Sequence, residues 1–155
     1  MNIFVLDVKQ NLAAQYHVDK HIVKMPLETA QLLCTAHHLS PVGSNIVPYK
    51  PTHLNHPCTL WTCKSQSNYL WLCELGLELC YEYSHRYRKI HKCQAIIHWC
   101  FCNMPSIPNI GLTPFVQALP NDLKGPDPVV AYRQYYCRDK KHIFSWKNRE
   151  VPEWI

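Results

Sequence analysis

The chain has 155 residues, 47% of them hydrophobic and 17% charged, with a formal net charge of +5 when histidine is neutral. That describes one globular domain, residues 1–155, with material for a real core. No apolar run reaches the ~20 residues of a membrane span, Asp7 arrives too early for a secretory signal, and the glycines stand too far apart for a Rossmann or P-loop phosphate site.

Residues 2–6 read as a short extended segment, with Asp7 or Asn11 placed to cap the first helix. That helix is long, expected over 11–38, and kinked or restarted at Pro26. Pro41, Gly43, Pro48, Pro51 and Pro57 then make 39–57 an ordered loop. A second helix begins at Ser65 or Ser67 and runs to Arg88. It is apolar on more than one side (Leu70, Trp71, Cys73, Leu75, Leu77, Leu79, Cys80), which marks it as the central, buried helix. The basic cluster that ends it suits a helix C-terminus. A third helix covers 92–103, a proline-rich loop 105–128, and a fourth helix 128–140, which carries Val129, Tyr132 and Tyr136, with Phe144 and Trp146 as candidates to pack at its end. The expected fold is mostly α, a compact single-domain helical fold with a short N-terminal extended segment and long proline-rich loops.

The 9 cysteines contain no CxxC pair. Cys73 and Cys80, like Cys93 and Cys100, are seven apart in helical patterns, as small buried apolar residues would be. An odd count without a secretion signal predicts reduced thiols in a cytoplasmic setting (host cytoplasm or nucleus for a viral protein).

Two stretches carry chemistry. In LAAQYHVDKHIVKMPLETAQ, residues 12–31, His17, His21, Lys24, Glu28 and Gln31 recur at steps of four and three, one face of a helix beside the apolar stripe of Ala14, Val18, Ile22, Met25 and Thr29. Imidazole, amine and carboxylate so close to an apolar stripe predict a lined cleft. Lys24 is the candidate nucleophile or electrostatic stabiliser, Asp19 and Glu28 the carboxylates, and His21 the proton shuttle; a lysine made partly neutral by burial attacks a sugar carbon. The second stretch is YKPTHLNHPCTLW, residues 49–61, where prolines hold Lys50, His53, Asn55 and His56 in position for phosphate or substrate. Lys20, Arg86, Arg88, Lys89 and Lys92 extend the positive surface.

The segment LAAQYHVDKHIVKMPLETAQ, followed by NHP and a helix ending in YEYSHRYRKIH, resembles small uncharacterised proteins of phages and large DNA viruses. More remotely it resembles the pyrimidine-dimer DNA glycosylases of the endonuclease V type, over roughly the first 90 residues, through helix order, the LAxQxH start at Leu12 and the proline at Pro26. That resemblance implies a compact α fold and a DNA-repair role. The family's nucleophile is the α-amine of a processed N-terminal threonine, and its glutamate lies in an arginine-rich stretch. Here the chain begins Met1-Asn2 and the corresponding stretch reads HIVKMP, so the catalytic pair does not transfer and the amine would be Lys20, Lys24 or an unprocessed Met1.

The expected function is thus a nucleic-acid-directed enzyme of DNA glycosylase or abasic-site lyase type, with no cofactor and no membrane partner. Two alternatives stay open: a non-catalytic module that binds nucleotides or nucleic acid, and a metal-dependent hydrolase using His17, His21, His53 and His56. No metal site is assigned, and the sequence leaves the oligomeric state open.

Overall fold

Residues 3–6 run through the interior outside any helix, with every side chain buried and the Leu6 amide turning back to the Phe4 carbonyl at 3.0 Å. A computed structural model describes residues 1–41 and 46–155. Among these, no strand pairs form: the N-terminal segment is enclosed by helices rather than by a sheet. The helices are α1 (Gln10–Tyr16), α2 (Asp19–Leu39), α3 (Pro57–Lys64), α4 (Gln66–Tyr87), α5 (Gln94–Cys102) and α6 (Pro128–Tyr135). The chain is a mostly α single domain, and no helix among the described residues is long and apolar enough to cross a membrane.

α4 is the central helix, touching α1, α2, α3 and α5. Its close approach depends on Gly76, where a Cβ would lie 2.7 Å from Thr29 Cγ2 on α2 and 3.1 Å from Ile97 Cδ1 on α5. Cys73, Cys80, Cys93 and Cys100 are buried in this core, and all nine thiols are free.

The long first helix differs from expectation. Pro26 lies inside α2 without ending it; its ring is buried, and the packing of α2 outweighs one lost backbone bond. The break falls earlier, at His17 and Val18, whose ψ angles of 136° and 155° are extended. Arg86 of α4 holds this break. Its fully buried guanidinium donates to the carbonyls of Gln15 and His17, both at 2.9 Å, and so satisfies acceptors left at the end of α1. It also donates to Asp19 at 2.8 Å and to Glu82 at 2.7 Å.

The fourth predicted helix spans the expected residues, but its last turn, Tyr136–Lys140, is π-helical. The wider turn carries an extra residue and changes which side chains face inward: Tyr136 is buried and Lys140 half-buried. The tail beyond it folds back over α2 and α4. Ser145 Oγ donates to Asp19 at 2.6 Å, the Lys147 amide donates to it at 3.0 Å, and Arg149 pairs with Glu82 at 2.8 Å. Trp146 packs against Phe144 and donates its indole N–H to the Tyr16 carbonyl.

Candidate active site

A cavity of about 260 Å³ opens between the N-terminal segment, α2 and the π-helical turn, lined by Met1, Asn2, Phe4, His21, Lys24, Met25, Glu28, Ala118, Tyr135 and Lys140. Three of the four predicted catalytic residues, His21, Lys24 and Glu28, meet here, because steps of three and four bring them to one side of α2.

Glu28 is the centre of the charge arrangement. Its Oε1 is 3.0 Å from Lys24 Nζ, its Oε2 accepts the Asn2 backbone N–H at 2.9 Å, and the Met1 amine lies 3.9 Å from the same oxygen. The Glu28 side chain is 10% exposed, whereas that of Lys24 is 66% exposed. The expectation that Lys24 is buried is therefore not met: the lysine reaches the cavity from its open side. Asn2 is fixed by its own network, donating to the Ala118 carbonyl at 2.9 Å and accepting from the Tyr132 hydroxyl at 2.9 Å.

His21 is stacked on Phe4, with ring centroids 4.6 Å apart and planes at 16°, and its Nδ1 pairs with the Tyr136 hydroxyl at 2.6 Å. Burial, followed by the nearby His17, Lys140 and Lys24, pushes its pKa down to about 3. A neutral imidazole thus faces the cavity at physiological pH, as a donor or acceptor of one hydrogen bond rather than as a cation. His17 lies behind it, fully enclosed, with burial lowering its pKa to about 4. His17 Nδ1 donates to the Ala13 carbonyl at 2.6 Å, which leaves Nε2 as a bare acceptor with no partner. The helix break removes His17 from the face of α2, so it does not reach the cavity.

The structure corrects the role expected of Asp19. It does not line the cavity; its carboxylate is used by Arg86, Ser145 and the Lys147 amide. Burial alone would raise its pKa, but these hydrogen bonds together hold it below the ordinary carboxylate value. An acceptor so fully occupied is a structural anchor. Arg86 is likewise no part of a positive surface, being only 1% exposed and spent on internal acceptors.

None of residues 49–61 lines the cavity, and the loop meets its wall through Cys58, whose Sγ lies 4.0 Å from Asn2 Oδ1. His56, the N-cap of α3, accepts the Cys58 N–H on Nδ1 at 3.1 Å, which leaves the proton of the neutral ring on Nε2. Its pKa is lowered by burial, then by the Met1 amine and His53, and Glu28 opposes this, so His56 lies within electrostatic reach of the cavity's charges. The turn is held by His53, which takes a left-handed φ of 50° and whose carbonyl accepts from the His56 amide at 3.0 Å and Thr59 Oγ1 at 2.9 Å. His53 and Asn55 are exposed on this turn. Lys20 is exposed on the outer ridge of α2, Arg88 is exposed at the end of α4 with a φ of 55°, and Lys50, Lys89 and Lys92 are exposed around a neighbouring groove.

Sequence reasoning missed Phe4, Asn2, Tyr135, Tyr136 and Lys140. The run YRQYYCRDK at 132–140 carries a signal in its mixture of aromatic and basic residues, but only the π turn decides which of them face the cavity. Among the described residues no three His, Cys, Asp or Glu side chains gather as a metal-binding group. His17 and His56 each already spend Nδ1 on the backbone. The chain matches no family model, and no curated protein or solved structure is similar enough to it to count as a match.

Proposed function

We propose that this protein acts on DNA as a glycosylase or abasic-site lyase, through an amine held against Glu28. The observation that carries the reading is the approach of Lys24 Nζ and the Met1 amine to one largely buried carboxylate, beside a neutral histidine. An amine attacking C1′ of an abasic sugar forms a C–N bond and loses a proton; water then leaves to give an imine. Glu28 stands where it accepts that proton, and its negative charge favours the cationic character that develops at C1′. His21 offers one neutral hydrogen bond to the sugar or the departing base. Lys24, exposed at the open side of the cavity, also suits a phosphate oxygen. The resemblance to pyrimidine-dimer glycosylases points to the same class of chemistry, with a different supply of amine.

Borohydride trapping tests this. Incubation with DNA containing an abasic site or damaged base, followed by reduction of the imine to a secondary amine, should give a stable protein–DNA adduct. Peptide mapping of the adduct distinguishes Lys24 from Met1. Lys24→Arg keeps the charge but removes the nucleophile; if the adduct persists in this variant, the amine is that of Lys20 or Met1. If no DNA substrate yields an adduct, the lyase reading fails and a binding module remains.

A further inference from the structure

On the other side of the α2 ridge lies a groove that the cavity does not use. Lys20, Lys24, Leu27 and Gln31 recur at steps of four, three and four and form the outermost line of α2. His21 and Glu28 fall to one side of this line, in the cavity; Val23 falls to the other. There, Val23, Leu27, Tyr49, Tyr83 and Ile90 line a depression of about 450 Å³, which continues past Leu27 and Tyr49 into a second of about 370 Å³ beside Lys50. Ile90 is 79% exposed, Val23 48% and Leu27 41%, an apolar floor left open to water. The rim carries Lys50, Lys89, His91 and Lys92, and none of the described residues lining either depression is acidic.

We infer that this groove binds an unpaired DNA strand, with bases against Leu27, Ile90 and the tyrosines and phosphates on the lysine rim. The inference rests on the proposed action on DNA and adds the form of the substrate. Open apolar and aromatic surface favours a ligand with flat faces, and Lys50, Lys89 and Lys92, with no acidic residue among the described lining residues, favour a polyanion; a single strand offers both, whereas a duplex hides its bases in the stack. The ridge also explains how the groove serves the cavity. A strand in the groove needs only to cross the line of Lys24 and Leu27 to place a nucleotide beside Glu28, and Lys24 stands at that crossing to hold its phosphate. Such a crossing is what chemistry on an extruded nucleotide requires.

Fluorescence anisotropy with a labelled oligodeoxythymidylate of about ten nucleotides tests the inference, because binding is read without chemistry. Leu27→Ser combined with Ile90→Ser removes exposed apolar surface without changing charge. It should weaken binding about tenfold at constant Tm while leaving the salt dependence intact. Lys89→Gln and Lys92→Gln should instead flatten the dependence of log Kd on log salt by about one each. Inorganic polyphosphate and duplex DNA should compete poorly with the single strand. Unchanged affinity in the Leu27/Ile90 variant, equal binding of duplex, or no binding at low salt would each overturn the groove assignment. The two readings fail separately: groove-dependent binding without a trapped adduct removes the lyase alone, and a trapped adduct with groove variants that bind normally removes the groove alone.

Discussion

Arg86 and Asp19 meet across 2.8 Å, with the guanidinium fully enclosed and the carboxylate also accepting from Ser145 and Lys147. This pair joins α4, the start of α2 and the C-terminal tail at one point, directly behind the helix that carries His21, Lys24 and Glu28. A buried charge whose partners are removed is costly, so the pair is a sensitive place to probe the fold.

Replacing Arg86 by methionine should cost at least about 3 kcal/mol, because the Gln15 and His17 carbonyls and the Asp19 and Glu82 carboxylates all lose a donor in the interior. Urea unfolding measures it. A loss under about 1 kcal/mol would mean that water reaches these acceptors.

Stability should fall as the solution is acidified below pH 6.5. His17 and His21 have folded pKa values lowered to about 4 and about 3 from an ordinary 6.5, so the unfolded chain binds more protons than the folded one between these limits. Each contributes a slope of up to about 1.4 kcal/mol per pH unit, with stability lost as pH drops through that window. In a series of melting curves from neutral to acid pH, His21→Phe should flatten the decline. An identical slope in that variant would place His21 in contact with water.

Glu28→Gln should retain the acceptor for the Asn2 amide and keep the fold, yet reduce adduct formation with abasic DNA by roughly 10²-fold, the loss expected when a general base is removed. Trapping rates with equal Tm would show this. A variant that traps at the wild-type rate would leave Glu28 as a structural partner of the N-terminal segment.

Gly76→Ala should destabilise by about 1–3 kcal/mol despite the better helix propensity of alanine, because the new methyl meets Thr29 Cγ2 at 2.7 Å. Adding Thr29→Ser removes that methyl, so the double variant should recover part of the loss. Additive losses in a double-mutant cycle would show that α2 and α4 relax apart instead.

The mostly α fold and the central role of the second long helix are legible in the sequence because the apolar runs are long and periodic. The meeting of His21, Lys24 and Glu28 is legible for the same reason: helical spacing is local. The place of Asp19 is not, because its partners Arg86, Ser145 and Lys147 are 67 to 128 residues away, and nothing local distinguishes a carboxylate claimed by a buried arginine from one left free. Arg86 reads as surface because a basic residue near a helix end ordinarily is one. The break at His17 is hidden by the stronger local signal of Pro26, which the packing of α2 overrides. Tyr136 and Lys140 are out of reach because a π turn has no simple sequence period.

The walls of the cavity come from residues 1–4, 21–28, 118 and 135–140, segments far apart along the chain. During synthesis the α2 face with Glu28 leaves the ribosome early, but the side carrying Tyr135 and Lys140 emerges more than 100 residues later. The nascent chain therefore spends that interval with one wall of the site missing. The cavity is complete only after the π turn has emerged and docked against the N-terminal segment and α2.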